Sequence, residues 1–241
     1  MIALITPTGG RVSQLETCAY LMRRQTYQGE VLWVIIDDCE PQTADMIPDD
    51  FRENWTIRKI RPELLWREGL NTQGRNLSMG INEIYERYDV EAIFIIEDDD
   101  YYRPEYLQSM LGRLTGYMAA GETNTIYYNV YFRRHVANGN FKHSSLFQVA
   151  FTPEAVPIFQ QCYMDKFIDS RFFQLLPVHR VNLFSANNLG IGIKGIGGRP
   201  GIGAGHHRNM LMYSDPNMTY LINQIGEDAK IYERYYSGNS R

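Results

Sequence analysis

A chain of 241 residues, 44% hydrophobic and 22% charged, can bury a sizeable core and has the composition of an ordinary globular protein. Collagen, a disordered tail and a coiled coil are excluded. With 24 Lys and Arg against 28 Asp and Glu, the formal charge is −4, so binding to nucleic acid through bulk charge is excluded and any such contact needs a local basic patch.

The chain opens MIALITPTGG, with neither the basic leader nor the long apolar stretch of a secretion signal. Apolar runs at Ile2 to Ile5, Val31 to Ile36 and Ala92 to Ile96 suit buried strands, and helical periodicity fills the segments between them, which predicts an α/β sheet. None approaches the roughly 20 residues that span a bilayer, so a soluble protein without a membrane partner is expected. Cys18, Cys39 and Cys162 are far apart and form no CxxC pair, which argues against a disulfide framework or a structural zinc and fits a reducing cytoplasm. Between Gly74 and Asp89, the residues Leu77, Ile81, Ile84, Tyr85 and Tyr88 predict the core stripe of a helix. Leu107, Met110, Leu111, Leu114 and Met118 repeat that pattern after Pro104, a residue suited to a helix start.

In the second half, a Tyr-rich run from Thr125 to Phe132 and the stretch Leu146 to Phe151 suit strands, and helices are expected from about Pro153 and Asp169. Eight of the sixteen residues from Gly190 to Gly205 are glycine, which predicts a loop. Gly190, Gly192 and Gly195 fit GxGxxG, but that dinucleotide fingerprint needs a helix opening inside it, and here further glycines and Pro200 follow. Asp215 and Pro216 suit the N-cap and first turn of a C-terminal helix.

Ligands of open α/β sheets bind beyond the carboxyl ends of the strands, and three polar clusters fall there. These are Thr6-Pro-Thr-Gly-Gly-Arg11, Asp37-Asp38 and Glu97-Asp98-Asp99-Asp100. The first can be read as a plain turn, and Asp37 or Asp38 as a turn cap. The third is different: four adjacent carboxylates repel one another unless a cation or backbone N–H groups neutralise them. Mg²⁺ or Mn²⁺ prefers oxygen ligands and completes its shell with water and substrate phosphates, which describes a nucleotide-diphosphate site. P-loop, HExxH, zinc-deaminase and GxSxG patterns are absent from the sequence.

ITPTGGR, RQTYQGEVLWVIIDD, GRNLSMGIN and IFIIEDDDYYRPEYL, in that order over about the first 110 residues, resemble a nucleotide-sugar-dependent glycosyltransferase of the GT-A fold, family 2-like, with EDDD as its DxD motif. The resemblance implies one GT-A-like, Rossmann-like α/β domain, its mostly parallel central sheet flanked by helices. Residues 1–110 would hold the nucleotide-sugar, and 111–241 the acceptor, with a metal and diphosphate loop at 190–207. It further implies that Thr6, Pro7, Thr8 and Arg11 hold the nucleoside with Asp38, and that Arg75 and Asn76 lie near the base or pyrophosphate. Two DxD registers fit, Asp98-x-Asp100 and Glu97-x-Asp99. The former is preferred, with Asp100 on the metal and Asp98 at the ribose or the metal's water shell.

Also by resemblance, His206 is a metal ligand; Lys194, Arg199 or loop N–H groups are read beside it as sharing the charge of the leaving diphosphate. The family's catalytic acid opens a helix in the second half. Asp169 is the nearest match and Asp165 its rival, although Ile168 stands where a preceding acid is expected. The expected function is metal-dependent transfer of a sugar, from a UDP-sugar with Mn²⁺ or Mg²⁺, to an acceptor hydroxyl. The small size is similar to phage-encoded enzymes that glycosylate hydroxymethylated pyrimidines in DNA, which would place the protein in a host cytoplasm. The local basic residues Arg133, Arg134, His135, Lys142 and His143, with Arg199, His207 and Arg208, would serve such an acceptor. A cytoplasmic glycan or small-molecule acceptor, a nucleotidyltransferase, and a non-catalytic nucleotide- or carbohydrate-binding module are the alternatives. Asp100, as a strand-end acid, is expected to contribute little to the core.

Overall fold

The computed structural model describes residues 1–185, 188–197, 205–206, 209 and 212–236. The apolar runs form the centre of a seven-stranded sheet: β1 (Ile2–Thr8), β2 (Val31–Asp37), β3 (Trp55–Ile60), β4 (Ala92–Ile95), β6 (Ala119–Glu122), β9 (Val149–Phe151) and β10 (Val181–Phe184). Their order is β3-β2-β1-β4-β9-β6-β10. The first four are mutually parallel, β9 runs antiparallel to both neighbours, and β10 is parallel to β6.

Both faces of this sheet are covered, which is why its strands are continuously apolar. Ile2 and Leu4 face the same core as Trp33 and Ile35, under α1 (Val12–Arg23) and α3 (Tyr106–Leu114). Ala3 and Ile5 face the other core with Leu32 and Val34, under α2 (Gln73–Arg87), α4 (Val156–Phe159) and α5 (Ile168–Leu175). On α2 the buried stripe is narrower than expected: Leu77, Ile81 and Ile84 are in the core, whereas Tyr85 on its flank is 51% exposed. Gly80 lets α2 approach the sheet, since a Cβ there would lie 2.5 Å from Ile5 Cδ1. Because α1 follows β1 on one face and α2 precedes β4 on the other, a crevice opens at the carboxyl ends of these neighbouring strands.

A five-stranded sheet borders that crevice, in the order β12-β8-β7-β11-β5. Its members are β5 (Tyr101–Tyr102), β7 (Ile126–Asn129), β8 (Arg134–Ala137), β11 (Gly190–Lys194) and β12 (Tyr213–Ser214). Strand β11 corrects the expectation of a loop from Gly190 onward. Its glycines are used for packing, since a Cβ at Gly192 would lie 2.3 Å from Tyr127 Cδ1, and the aromatic ring takes the space of the missing side chain. The C-terminal helix α6 (Thr219–Ile225) also starts later than expected. Asp215 nevertheless caps it from upstream, accepting the N–H groups of Tyr220 at 3.0 Å and Leu221 at 3.2 Å. Leu146–Gln148 is a 3-10 turn leading into β9, and Pro153–Ala155 another leading into α4. Among the described residues, no helix is long and apolar enough to cross a membrane.

Candidate active site

The turn after β1 folds back over the end of β4. Gly10 takes the left-handed conformation (φ +64°) that this reversal needs. Arg11 then reaches the acidic cluster, with Nη1 3.0 Å from Asp98 Oδ1 and Nη2 2.7 Å from Asp99 Oδ2. Thr8 donates its hydroxyl to Asp98 Oδ2 at 2.6 Å and accepts the Asp38 N–H on its carbonyl at 3.3 Å, tying three strand ends together. Thr6 is fully buried and its hydroxyl accepts the Trp33 indole N–H at 2.9 Å, while Pro7 faces the other side of the strand.

The two acids after β2 divide. Asp37 Oδ1 accepts the Cys39 N–H at 3.1 Å and Oδ2 the Ala44 N–H at 2.7 Å, so it serves as a turn cap. Asp38 Oδ2 accepts the Asn76 Nδ2 at 2.8 Å and the Thr72 hydroxyl, and lies 3.6 Å from Arg75 Nη2. Arg75 in turn binds Asn76 Oδ1 through Nε and Nη2, and its buried Nη1 has no hydrogen-bond partner. Arg75 also lines a groove of about 360 Å³ with Arg61, Pro62, Glu63, Leu64 and Met79. Gly74 of the GRN run has a packing role: a Cβ there would fall 1.9 Å from the Tyr163 carbonyl oxygen.

Antiparallel pairing of β11 with β5, Ile191 opposite Tyr101, carries Lys194 into the acidic cluster from far along the chain. Asp100 Oδ1 accepts the Ile193 N–H and the Lys194 ammonium, both at 2.8 Å, and Lys194 Nζ lies 3.8 Å from Asp99. Asp100 is therefore part of the interior, 1% exposed, which corrects the expectation that it matters little to the core. Its Oδ2 is buried without a hydrogen-bond partner. Oxygens of Glu97, Asp99 and Asp100 lie within 4.8 Å of one another and could hold a metal ion. The donor set, all hard carboxylate oxygen with one orphaned buried atom, fits Mg²⁺ or Mn²⁺. Asp98 stands outside this triad, bound to Thr8 and Arg11.

Charge balance points the same way. Four carboxylates face two cations, the half-buried Arg11 and the buried Lys194, an excess of negative charge in a poorly solvated place. Burial raises the pKa of Glu97 and lifts that of Asp100 well above the carboxylate range. Burial likewise raises Asp98 to about 6, against the pull of Arg11. Asp99 goes the other way, to about 2, because Lys194 and Arg11 overcome its burial. Burial disfavours the charges of Arg11 and Lys194, yet their acidic neighbours raise both pKa values.

Of the other expected residues, His206 is half-buried and close enough to help lower the Asp99 pKa. It follows Gly205, whose carbonyl accepts the Asn129 amide at 2.9 Å. Arg199, His207 and Arg208 lie outside the described residues. Asp169 opens α5, where it accepts the Ser170 N–H at 2.8 Å, and burial raises its pKa against that bond and the nearby His143. Its neighbour Ile168 packs on Gly74, next to Gln73, whose side-chain amide binds Glu97. Asp165, by contrast, is exposed. Sequence reasoning passed over Thr72 and Gln73, although both precede the GRN run at the helix start, the position from which a side chain can reach a strand end.

No family model matches the chain, and no curated protein does. Solved structures do share the fold. TarS from S. aureus, residues 1–349 in complex with UDP-GlcNAc, is similar with a TM-score of 0.56 at 14% identity, over 82% of this chain and 59% of that one. Mannosyltransferase PcManGT from Pyrobaculum calidifontis, in complex with GDP-Man and Mn²⁺, gives a TM-score of 0.56 at 12% identity, over 82% of this chain and 57% of that one. The chain thus spans less than two thirds of the length of either. Its architecture, a mixed α/β fold around a mostly parallel sheet, is GT-A-like.

Proposed function

We propose that this chain is a glycosyltransferase that moves a sugar from a UDP-sugar to an acceptor hydroxyl with the help of Mn²⁺ or Mg²⁺. One observation carries the reading: the carboxylate cluster at the end of β4, with its orphaned Asp100 oxygen, shares a crevice with Asp38 through Thr8. The fold supports it, since similar structures hold UDP-GlcNAc, or GDP-Man with Mn²⁺.

In this reading residues 1–110 bind the donor, with the base and ribose near Asp38, Asn76 and the groove beside Arg75. Glu97, Asp99 and Asp100 would hold the metal with His206, and the ion would supply charge stabilisation for the departing diphosphate. Arg11 and Lys194 add fixed positive charge on the same side. Asp98 and Thr8 tie the ends of β1 and β4 together, while Thr6 and Pro7 lie in β1 just before the turn that carries Arg11. In an inverting transfer Asp169 takes the acceptor proton as general base, and its raised pKa suits that task.

The acceptor assigned first is a hydroxymethylated pyrimidine in DNA. Lys142 and His143 support it, His143 being near enough to Asp169 to act on its charge. The other half of the basic stretch is partly committed to the fold. His135 stacks on Tyr220 with ring centroids 3.5 Å apart, and Arg133 Nη1 donates to the Pro216 carbonyl at 2.6 Å. The test is a thermal-shift series with UDP and UDP-sugars, with and without Mn²⁺, followed by transfer of radiolabelled sugar to DNA carrying hydroxymethylcytosine, hydroxymethyluracil or ordinary bases. Metal-dependent stabilisation by UDP is expected, with label entering only hydroxymethylated DNA. Donor hydrolysis without labelled DNA would move the acceptor to a glycan or small molecule; no response to any nucleotide would remove the transferase reading.

A further inference from the structure

We infer that Lys194 is a built-in rival for the cation site: its ammonium occupies carboxylate oxygens that a divalent ion needs, and metal binding frees it to pair with the donor's diphosphate. The inference rests on the proposed metal-dependent transfer and adds a coupling between metal and donor.

The same oxygens are wanted twice. Lys194 Nζ lies 2.8 Å from Asp100 Oδ1 and 3.8 Å from Asp99 Oδ2, and these two residues with Glu97 form the compact oxygen triad. Arg11 already takes Asp99 Oδ2 at 2.7 Å, so an incoming ion finds the triad engaged by two cations. Ion and ammonium also repel, and the interior screens that repulsion poorly.

The backbone around Lys194 is held by hydrogen bonds. Ile193 donates its N–H to Asp100 at 2.8 Å, the Lys194 carbonyl accepts from Val130 at 2.8 Å, and the start of β11 is held by Glu122, which accepts the N–H groups of Leu189 and Gly190. The long side chain is the part with rotatable bonds to respond, and its ammonium lies 5.8 Å from the Tyr127 ring. Lys194 is buried where it stands, so an ammonium displaced from Asp100 loses its nearest partner unless it finds another anion, and a diphosphate bound by the same ion supplies one. Metal and donor then favour each other, and by linkage each must raise the affinity for the other equally.

The experiment measures Mn²⁺ uptake from the electron paramagnetic resonance signal of free Mn²⁺, with and without UDP, for the wild type, Lys194→Met and Lys194→Arg. Wild type is expected to bind Mn²⁺ weakly alone and about tenfold or more tightly with UDP, within the usual range of coupling. Lys194→Met should bind Mn²⁺ about tenfold more tightly than wild type without UDP and lose most of the UDP effect. Lys194→Arg, which keeps the charge, should remain like wild type and stands in if the Met variant does not fold, expected then to keep the UDP enhancement. Equal or weaker Mn²⁺ binding by a folded Lys194→Met, or an Arg variant without UDP enhancement, overturns the inference while leaving the transferase reading intact. Absence of Mn²⁺ uptake by wild type under both conditions overturns the metal reading and the inference with it.

Discussion

The Thr8 hydroxyl donates to Asp98 Oδ2 at 2.6 Å although 90 positions separate the two residues. With Arg11 on the other oxygen at 3.0 Å, this bond makes Asp98 a latch between the ends of β1 and β4. The residue therefore ties two strand ends of the crevice together and stands outside the compact group of Glu97, Asp99 and Asp100 oxygens.

A pH dependence follows from that latch. Asp98 titrates at about 6 in the folded protein, because burial raises it, whereas an aspartate in an unfolded chain titrates near about 4. Between these values the folded state binds a proton that the unfolded state does not, so the Asp98 contribution to stability falls as pH rises from about 4 to about 6. Asp98→Asn removes this contribution. Urea unfolding in EDTA across that range should show a weaker downward slope for the variant; identical slopes would assign the effect elsewhere.

Asp100→Asn should abolish Mn²⁺ binding and also destabilise the fold, by about 1–3 kcal/mol, because an amide in place of the carboxyl disturbs the oxygen that accepts both the buried Lys194 ammonium and the Ile193 N–H. Adding Lys194→Met should recover part of that loss, since the pair is then removed together. Denaturant titration of the single and double variants checks this, and additive losses would mean that the two residues are not energetically coupled.

Gly74→Ala should cost about 1–3 kcal/mol by overpacking against the Tyr163 carbonyl. The melting temperature reads this directly. An unchanged melting temperature would show that the Tyr163 segment moves aside freely.

Asp169→Asn should bind UDP with wild-type affinity and fail to transfer sugar, since a general base acts on the acceptor side. Calorimetric UDP binding paired with a single-turnover assay separates the two effects. Wild-type turnover would point to Asp165 or to a retaining mechanism.

Much of this was legible in one dimension. The apolar runs predicted β1, β2 and β4 because parallel strands covered on both faces must be apolar throughout, and a charge cluster following such a run can only lie at a strand end. Chain position did not separate Asp37 from Asp38, and only the family resemblance singled out Asp38, since position alone does not say which oxygen meets a turn and which meets α2. Glycine density similarly hid β11: a glycine in a strand looks like a loop residue until the ring that fills its place, Tyr127, is brought alongside by pairing. The link from Lys194 to Asp100 spans 94 positions and depends on β11 meeting β5 in one register. Local sequence fixes strand and helix through side-chain periodicity, but which buried cation meets which buried carboxylate is decided by long-range strand pairing, and only the folded chain contains that.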